Sequence, residues 1–257
     1  QALGFSVPQF GHLPMILGSD KTRLSKRHGA TSIMAYKEMG YLPEAMVNYL
    51  VRLGWSHGDQ ELFTRQELIE KFSWKNVQTS PAVFNPEKLL WINGEYIKVS
   101  PPAQIAQALR PLLEAAGCTE ETRAISTGQL AQLVVLVKER AKTLMEMVDW
   151  VRPYLGQVVT FDEEAAKKFL TPAIAPTLGK LLACFEAFPA FSKEQWEEAF
   201  KQLVKEEGMK MGQLAQPVRV ALTGRTASPG LFEVMEALGR DRTLFRLGQG
   251  IERACRA

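Results

Sequence analysis

No stretch of this 257-residue chain approaches the ~20 consecutive apolar residues that a membrane-spanning helix requires, so a helical membrane protein is excluded. No secretory signal pattern opens it either. The first residue is Gln1 rather than Met, which predicts that the natural start lies upstream. Only three cysteines occur, Cys118, Cys184 and Cys255, far apart and without C-x-x-C spacing. That argues against a zinc site and for free or buried thiols in a reducing cytosol. The three histidines, His12, His28 and His57, are isolated, and no Gly-rich strand–helix fingerprint is present. Internal repeats and low-complexity segments are absent too, which removes solenoids and disordered tails from consideration. What is there, 46% hydrophobic and 23% charged residues, is the composition of an ordinary soluble globular protein of one to three domains.

The net charge is only +3, but it is unevenly spread. Residues 1–30 carry four basic and one acidic side chains, and residues 201–257 ten and six. The middle holds 17 basic and 21 acidic. Basic ends around an acidic middle suit a protein that meets a polyanion at two separated places, although charge alone does not separate this from chance scatter of solvated side chains.

Leu13 to Leu17 reads as a short buried strand, and Ser19 to Gly29 as a polar, basic loop. From Tyr41 onward helical spacing dominates. Pro43 fits a first helical position, and Met46, Tyr49, Leu50 and Leu53 make one apolar face that Gly54 ends. Thr64 with Glu67 is a capping box, as is Ser192 with Gln195. Trp74 to Pro86 reads as irregular and Glu87 to Trp91 as a further helical turn. Pro101-Pro102 marks a domain boundary or helix start. Leu130, Leu133, Val134, Val137, Ala141, Leu144, Met145 and Val148 predict one long helix. A break follows at Gly156 to Phe161, then helices with buried Trp196, Ala199, Phe200, Leu203 and Val204, a helix from Leu231 to Leu238 behind Ser228-Pro229-Gly230, and a last one capped by Asp241. The expected fold class is mostly α, serial helical bundles with a short α/β remnant at the N-terminus.

The most chemical segment is Arg23-Leu24-Ser25-Lys26-Arg27-His28-Gly29, preceded by Lys21. It packs donors and almost no acceptors into a few residues, which suits phosphate oxygens. Its residue order, with H-L-P-M-I-L-G-S-D before it, resembles the K-M-S-K-S signature of class I aminoacyl-tRNA synthetases, in the variant of bacterial-type glutamyl-tRNA synthetases. The similarity continues through Tyr41–Ser56, Phe84–Ile97 and Gly212–Glu233, four collinear blocks that reach along most of the chain.

The resemblance implies ATP-dependent glutamylation of tRNA(Glu), with ATP as substrate accompanied by Mg2+. Lys26 matches the signature's second lysine and would stabilise charge building on the leaving pyrophosphate. Leu24, Ser25 and Arg27 would hold the loop on the phosphates, and Arg23 stands where the family has lysine. His28 is a candidate to orient the loop, with a structural role as the favoured reading of a lone histidine. The family's H-I-G-H-type motif is missing, so the groups that bind adenosine and L-glutamate are expected outside this chain, which alone should be inert in aminoacylation.

The implied division is a catalytic-domain tail at 1–30, a stem-contact region at 31–100, and anticodon-binding subdomains at 101–157 and 158–257. Met211, Arg219, Ser228, Pro229 and Leu231 match the family's anticodon-contact pattern. Single-stranded bases are read by stacking on apolar or planar groups and by bonding their edges, work that these residue types can do. Arg140 and Lys142 are both candidates for the arginine that reads the last anticodon base, and Lys88 and Asn93 for stem contacts. A cytoplasmic monomer with no metal site of its own is expected. The rival reading is a stand-alone, non-catalytic tRNA-binding module of the same descent; retention of Ser25, Lys26 and Arg27 together argues for the enzyme.

Overall fold

Helical spacing of the apolar residues yields a chain that is mostly α. The computed structural model describes residues 4–7, 10–29 and 32–256, and among these lie fourteen α-helices and one two-stranded sheet. Gln1 and the boundary expected at residue 30 lie outside the described residues. Two units separate. One comprises the described residues up to Val99 together with Lys142–Met145; the other comprises Ser100–Ala141 and the described residues from Glu146 onward.

The first unit runs from β1 (Ile16–Leu17) through α1 (Ile33–Glu38), α2 (Pro43–Arg52) and α3 (Arg65–Lys71) to β2 (Ala82–Val83) and α4 (Pro86–Val99). β1 pairs in parallel with β2, Ile16 opposite Ala82 and Leu17 opposite Val83. A parallel pair needs a long crossover, which α1 to α3 provide. The strand is shorter than the expected Leu13–Leu17, because Leu13 and Met15 lie 71% and 54% exposed instead of against a core. Trp55, Phe63 and Leu68 form a buried cluster beside α2 and α3. The expected capping box is present: Thr64 Oγ1 accepts the Glu67 N–H at 3.1 Å, and Glu67 Oε2 accepts the Thr64 N–H at 2.7 Å. Such caps contribute about 1 kcal/mol. On α2, Met46 and Tyr49 are buried as expected but Leu50 is exposed. α4 runs well past the single turn expected at Glu87–Trp91.

The remaining helices are α5 (Pro102–Ala115), α6 (Thr119–Ala124), α7 (Thr127–Val137), α8 (Leu144–Val151), α9 (Glu163–Phe169), α10 (Ala175–Glu186), α11 (Lys193–Glu206), α12 (Met211–Thr223), α13 (Leu231–Leu238) and α14 (Arg240–Cys255). Within the second unit α5 packs on α7, and α14 packs on α10 and α12. Trp196 stacks on Phe185 with ring centroids 4.1 Å apart, and Phe200, Leu203 and Val204 are buried as expected, with Ala199 only half-buried. Arg246 is fully buried, its guanidinium donating to Leu222 O at 2.6 Å and Gly156 O at 2.5 Å.

The long helix expected over 130–148 is two helices. α7 ends at Val137, a 3-10 turn covers Lys138–Arg140, Ala141 is extended, and α8 begins at Leu144. The cause is tertiary. Asn93 Nδ2 donates to Lys142 O at 2.6 Å, and the Leu144 N–H donates to Gly40 O at 2.9 Å. Gly40 has φ of 83°, and a Cβ there would stand 2.6 Å from Met145 N, so only glycine allows this approach. The apolar stripe survives the break except at Met145, which is exposed. Two caps also differ from expectation. Gly239, not Asp241, precedes α14, and Ser192 accepts the Gln195 N–H without a reciprocal bond.

Candidate functional site

The basic loop is built as a hairpin folded back on β1. Gly18 N–H donates to Thr22 O at 2.8 Å, Leu24 N–H donates to Ile16 O at 3.0 Å, and Leu17 bridges Arg23 in antiparallel fashion. Lys21 takes a left-handed φ of 59° at the tip. Ser25 then caps a 3-10 turn, Lys26–His28. Thr22, Arg23, Leu24, Ser25, Lys26 and Arg27 together line an open depression of about 770 Å³. Arg23 and Lys26 are exposed, and no acidic side chain among the described residues pairs with either. Arg27 instead donates to Thr22 Oγ1 at 2.9 Å, with Asp20 4.0 Å away. The geometry therefore leaves two cations of the loop available to an anion.

Two loop residues, Asp20 and Thr22, escaped the sequence reading. Asp20 Oδ1 accepts the Thr22 N–H at 2.9 Å, the Thr22 hydroxyl at 2.8 Å, and a bond from His28 Nε2 at 3.0 Å. These bonds, the Thr22 backbone foremost, hold its carboxyl at about 2, below the usual range. His28 Nδ1 faces the Ser25 N–H at 3.0 Å and the Ser25 hydroxyl at 3.1 Å. The D-x-T spacing, which lets a carboxylate accept the amide two residues on, was the available signal.

The stem-contact candidates divide. Lys88 pairs with Glu61 at 2.9 Å, and Glu61 also receives the Arg52 fork at 3.0 and 3.1 Å. Lys88 thus shares one carboxylate with Arg52. Asn93 is a correction: it is 0% exposed, accepting the Leu42 N–H at 2.8 Å and donating to Lys142 O. Both ends of its amide are committed to the fold, so it has no edge to offer RNA. Lys142 belongs to the first unit, its stem packed over Gly94.

Arg140 belongs to the second unit, where its guanidinium lies 5.6 Å from the Trp150 ring centre. It lines a groove of about 580 Å³ with Leu136, Glu139, Pro229, Glu233 and Glu236, three carboxylates beside its one guanidinium. Arg219 is half-buried. Its Nη1 donates to Pro229 O at 2.8 Å, to Ser228 O at 3.1 Å and to the Ser228 hydroxyl, while its buried Nε has no hydrogen-bond partner. The guanidinium thus fixes the corner that carries Ser228 and Pro229 into α13. Ser228, Pro229 and Leu231 are buried, and Met211 is exposed at the start of α12. Burial pushes the Tyr154 hydroxyl up to about 12, against the opposing charges of Arg219, Arg246, Arg140 and Arg225. Four guanidiniums around one tyrosine, none of them in an ion pair among the described residues, give this unit a positive focus.

A loop with two exposed, unpaired cations thus precedes a helical unit that carries an Arg140-lined groove. Residues 104–251 match the family described as anticodon binding domain, and residues 1–91 match tRNA synthetases class I (E and Q), catalytic domain. The first match takes in more than half of the chain, which belongs to the anticodon binding domain family. Its relatives are glutamate–tRNA ligases. The one from Geobacter sulfurreducens is 54% identical over 252 residues, covering 98% of this chain and 53% of the relative. That from Syntrophobacter fumaroxidans is 53% identical over 251 residues with the same shares. The chain spans about half the length of the curated relatives it matches. Among solved structures, a glutamate tRNA ligase from Elizabethkingia meningosepticum in complex with its amino acid aligns with a TM-score of 0.81 at 28% identity, over 98% of this chain and 53% of that one. No helix among the described residues is long and apolar enough to cross a membrane.

Proposed function

We propose that this chain supplies the triphosphate-contacting loop and the tRNA-reading helices of a cytoplasmic glutamate–tRNA ligase. In that reaction the carboxylate of L-glutamate attacks the α-phosphorus of ATP, releasing pyrophosphate. The terminal ribose hydroxyl of tRNA(Glu) then attacks the glutamyl carbonyl carbon of the adenylate, releasing AMP. Lys26, exposed and without an acidic partner, is suited to neutralise charge on the pyrophosphate as the bond to the α-phosphorus lengthens. Arg23 adds a second free cation, and Ser25 and Leu24 shape the floor. Mg2+ arrives with ATP; no group of three or more His, Cys, Asp or Glu among the described residues could hold a metal ion.

The observation that carries the RNA half of this reading is that Arg140 and Pro229, singled out from separate parts of the sequence, line one groove. Arg140 offers a planar donor fork, Leu136 and Pro229 an apolar wall, and Glu139 an acceptor, which together suit one unstacked base. This favours Arg140 over Lys142 as the reader of the last anticodon base. Arg219 contributes by holding the Ser228–Pro229 corner, and Met211 by its exposed apolar side chain. The test is competition for this chain between an anticodon stem-loop and an acceptor minihelix of tRNA(Glu). The stem-loop should compete and Arg140→Ala should weaken it. A chain that binds only the minihelix, or neither, would overturn the assignment.

A further inference from the structure

The loop holds a side-chain relay that the reaction above does not yet use. His28 Nδ1 lies 3.0 Å from the Ser25 backbone nitrogen, and a backbone N–H can only donate. Nδ1 must therefore carry a lone pair, which puts the ring proton on Nε2, 3.0 Å from Asp20 Oδ1. Asp20 is itself fixed by two bonds from Thr22. The His28 side chain is 11% exposed although it sits in a polar loop. On its other side the ring lies against Gly18, where a Cβ would come 2.6 Å from Nε2. Four residues thus fix one imidazole in position, orientation and tautomer.

Resting on the proposed role of Lys26 and Ser25, we propose that His28 is the positioning residue of the triphosphate loop. Asp20 selects the Nε2–H tautomer, and Nδ1 then anchors the Ser25 amide and with it the turn that carries Lys26 and Arg27. The Ser25 hydroxyl, 3.1 Å from the same Nδ1, has two partners in turn. Before phosphate arrives it shares Nδ1 with the backbone N–H. When a phosphate oxygen comes within reach, its hydrogen swings to that oxygen while the N–H keeps Nδ1 occupied. The loop therefore gains a donor for the phosphate without losing its anchor, and Lys26 stays aimed at the place where charge develops.

Two measurements test this. With three histidines in the chain, long-range 15N–1H spectra of the imidazoles should resolve His28 with its proton on Nε2 and a lone pair on Nδ1. Asp20→Ala should turn it into a tautomer mixture. A ring protonated at Nδ1, or a mixture already in the native chain, overturns the proposal. In a full-length synthetase carrying this sequence, His28→Ala should slow ATP–pyrophosphate exchange in kcat on the order of tenfold to a hundredfold, with the KM for ATP little changed. His28→Asn, whose amide oxygen can take the place of Nδ1, should recover most of that rate, and Gly18→Ala, which pushes the ring aside, should reproduce the loss. Normal exchange in His28→Ala, or no recovery in His28→Asn, contradicts the positioning role. Normal exchange in Lys26→Ala would instead remove the reading of the loop on which this rests, while the tautomer result would stand unaffected.

Discussion

Lys26 and Asn93 show how differently two polar residues of one unit are used. Lys26 is exposed, and in a full-length synthetase Lys26→Ala should cost on the order of 2–4 kcal/mol of transition-state stabilisation, roughly 30- to 1,000-fold in adenylate formation, with tRNA affinity nearly unchanged. Normal adenylation with weakened tRNA binding would reduce Lys26 to a phosphate anchor. Asn93 is buried and saturated, so Asn93→Ala leaves the Leu42 N–H and the Lys142 carbonyl without their partner. Each orphaned group costs about 1–3 kcal/mol, which a urea titration should read as a lower midpoint. An unchanged midpoint together with weaker tRNA binding would restore Asn93 as an RNA contact. Arg219 stands between these cases: its Nη1 is spent on Ser228 and Pro229, while its buried Nε has no partner. Arg219→Lys keeps the charge and loses the fork, so it should destabilise the corner without removing the electrostatic pull on RNA.

At the scale of elements, α3 offers a pH test. Glu67 is held at about 2, first by the Thr64 backbone N–H and then by Gln60 and Lys71. Its folded value lies below the ordinary 4.5, so the cap is fully stabilising above about 4.5 and is lost as pH falls toward 2. The Glu67 carboxyl carbon and the Thr64 amide should titrate together near that low value, and titration near 4.5 would contradict the capping geometry. Helices of this kind were legible in the sequence because spacing and caps are local. The break after Val137 was not, because Asn93 and Gly40, far away along the chain, pull residues 142–144 out of helical geometry while the apolar stripe stays buried. The loop was legible from residue order alone, but the Asp20–His28–Ser25 relay was not, since single polar residues carry no period. For the same reason the commitment of Arg219 to Ser228 and Pro229 could not be foreseen.

For the whole molecule, the account separates a loop that serves chemistry from helices that read RNA. This chain alone should show no glutamate-dependent ATP–pyrophosphate exchange, because the groups expected to bind adenosine and glutamate are not in its sequence; exchange free of contaminating full-length enzyme would overturn that. It should still bind tRNA(Glu), weakly and with steep salt dependence, through exposed cations of the second unit such as Arg225. The most direct measurement is the affinity of the native chain and of Arg140→Ala for tRNA(Glu) and for the same tRNA with its last anticodon base exchanged, at two salt concentrations. The account predicts that the native chain prefers the natural base, and that Arg140→Ala loses about 1–3 kcal/mol of that preference with little change in salt slope. A native chain that does not distinguish the two tRNAs, or a variant that weakens both equally while the slope shrinks by about one counterion, would contradict anticodon reading in this groove.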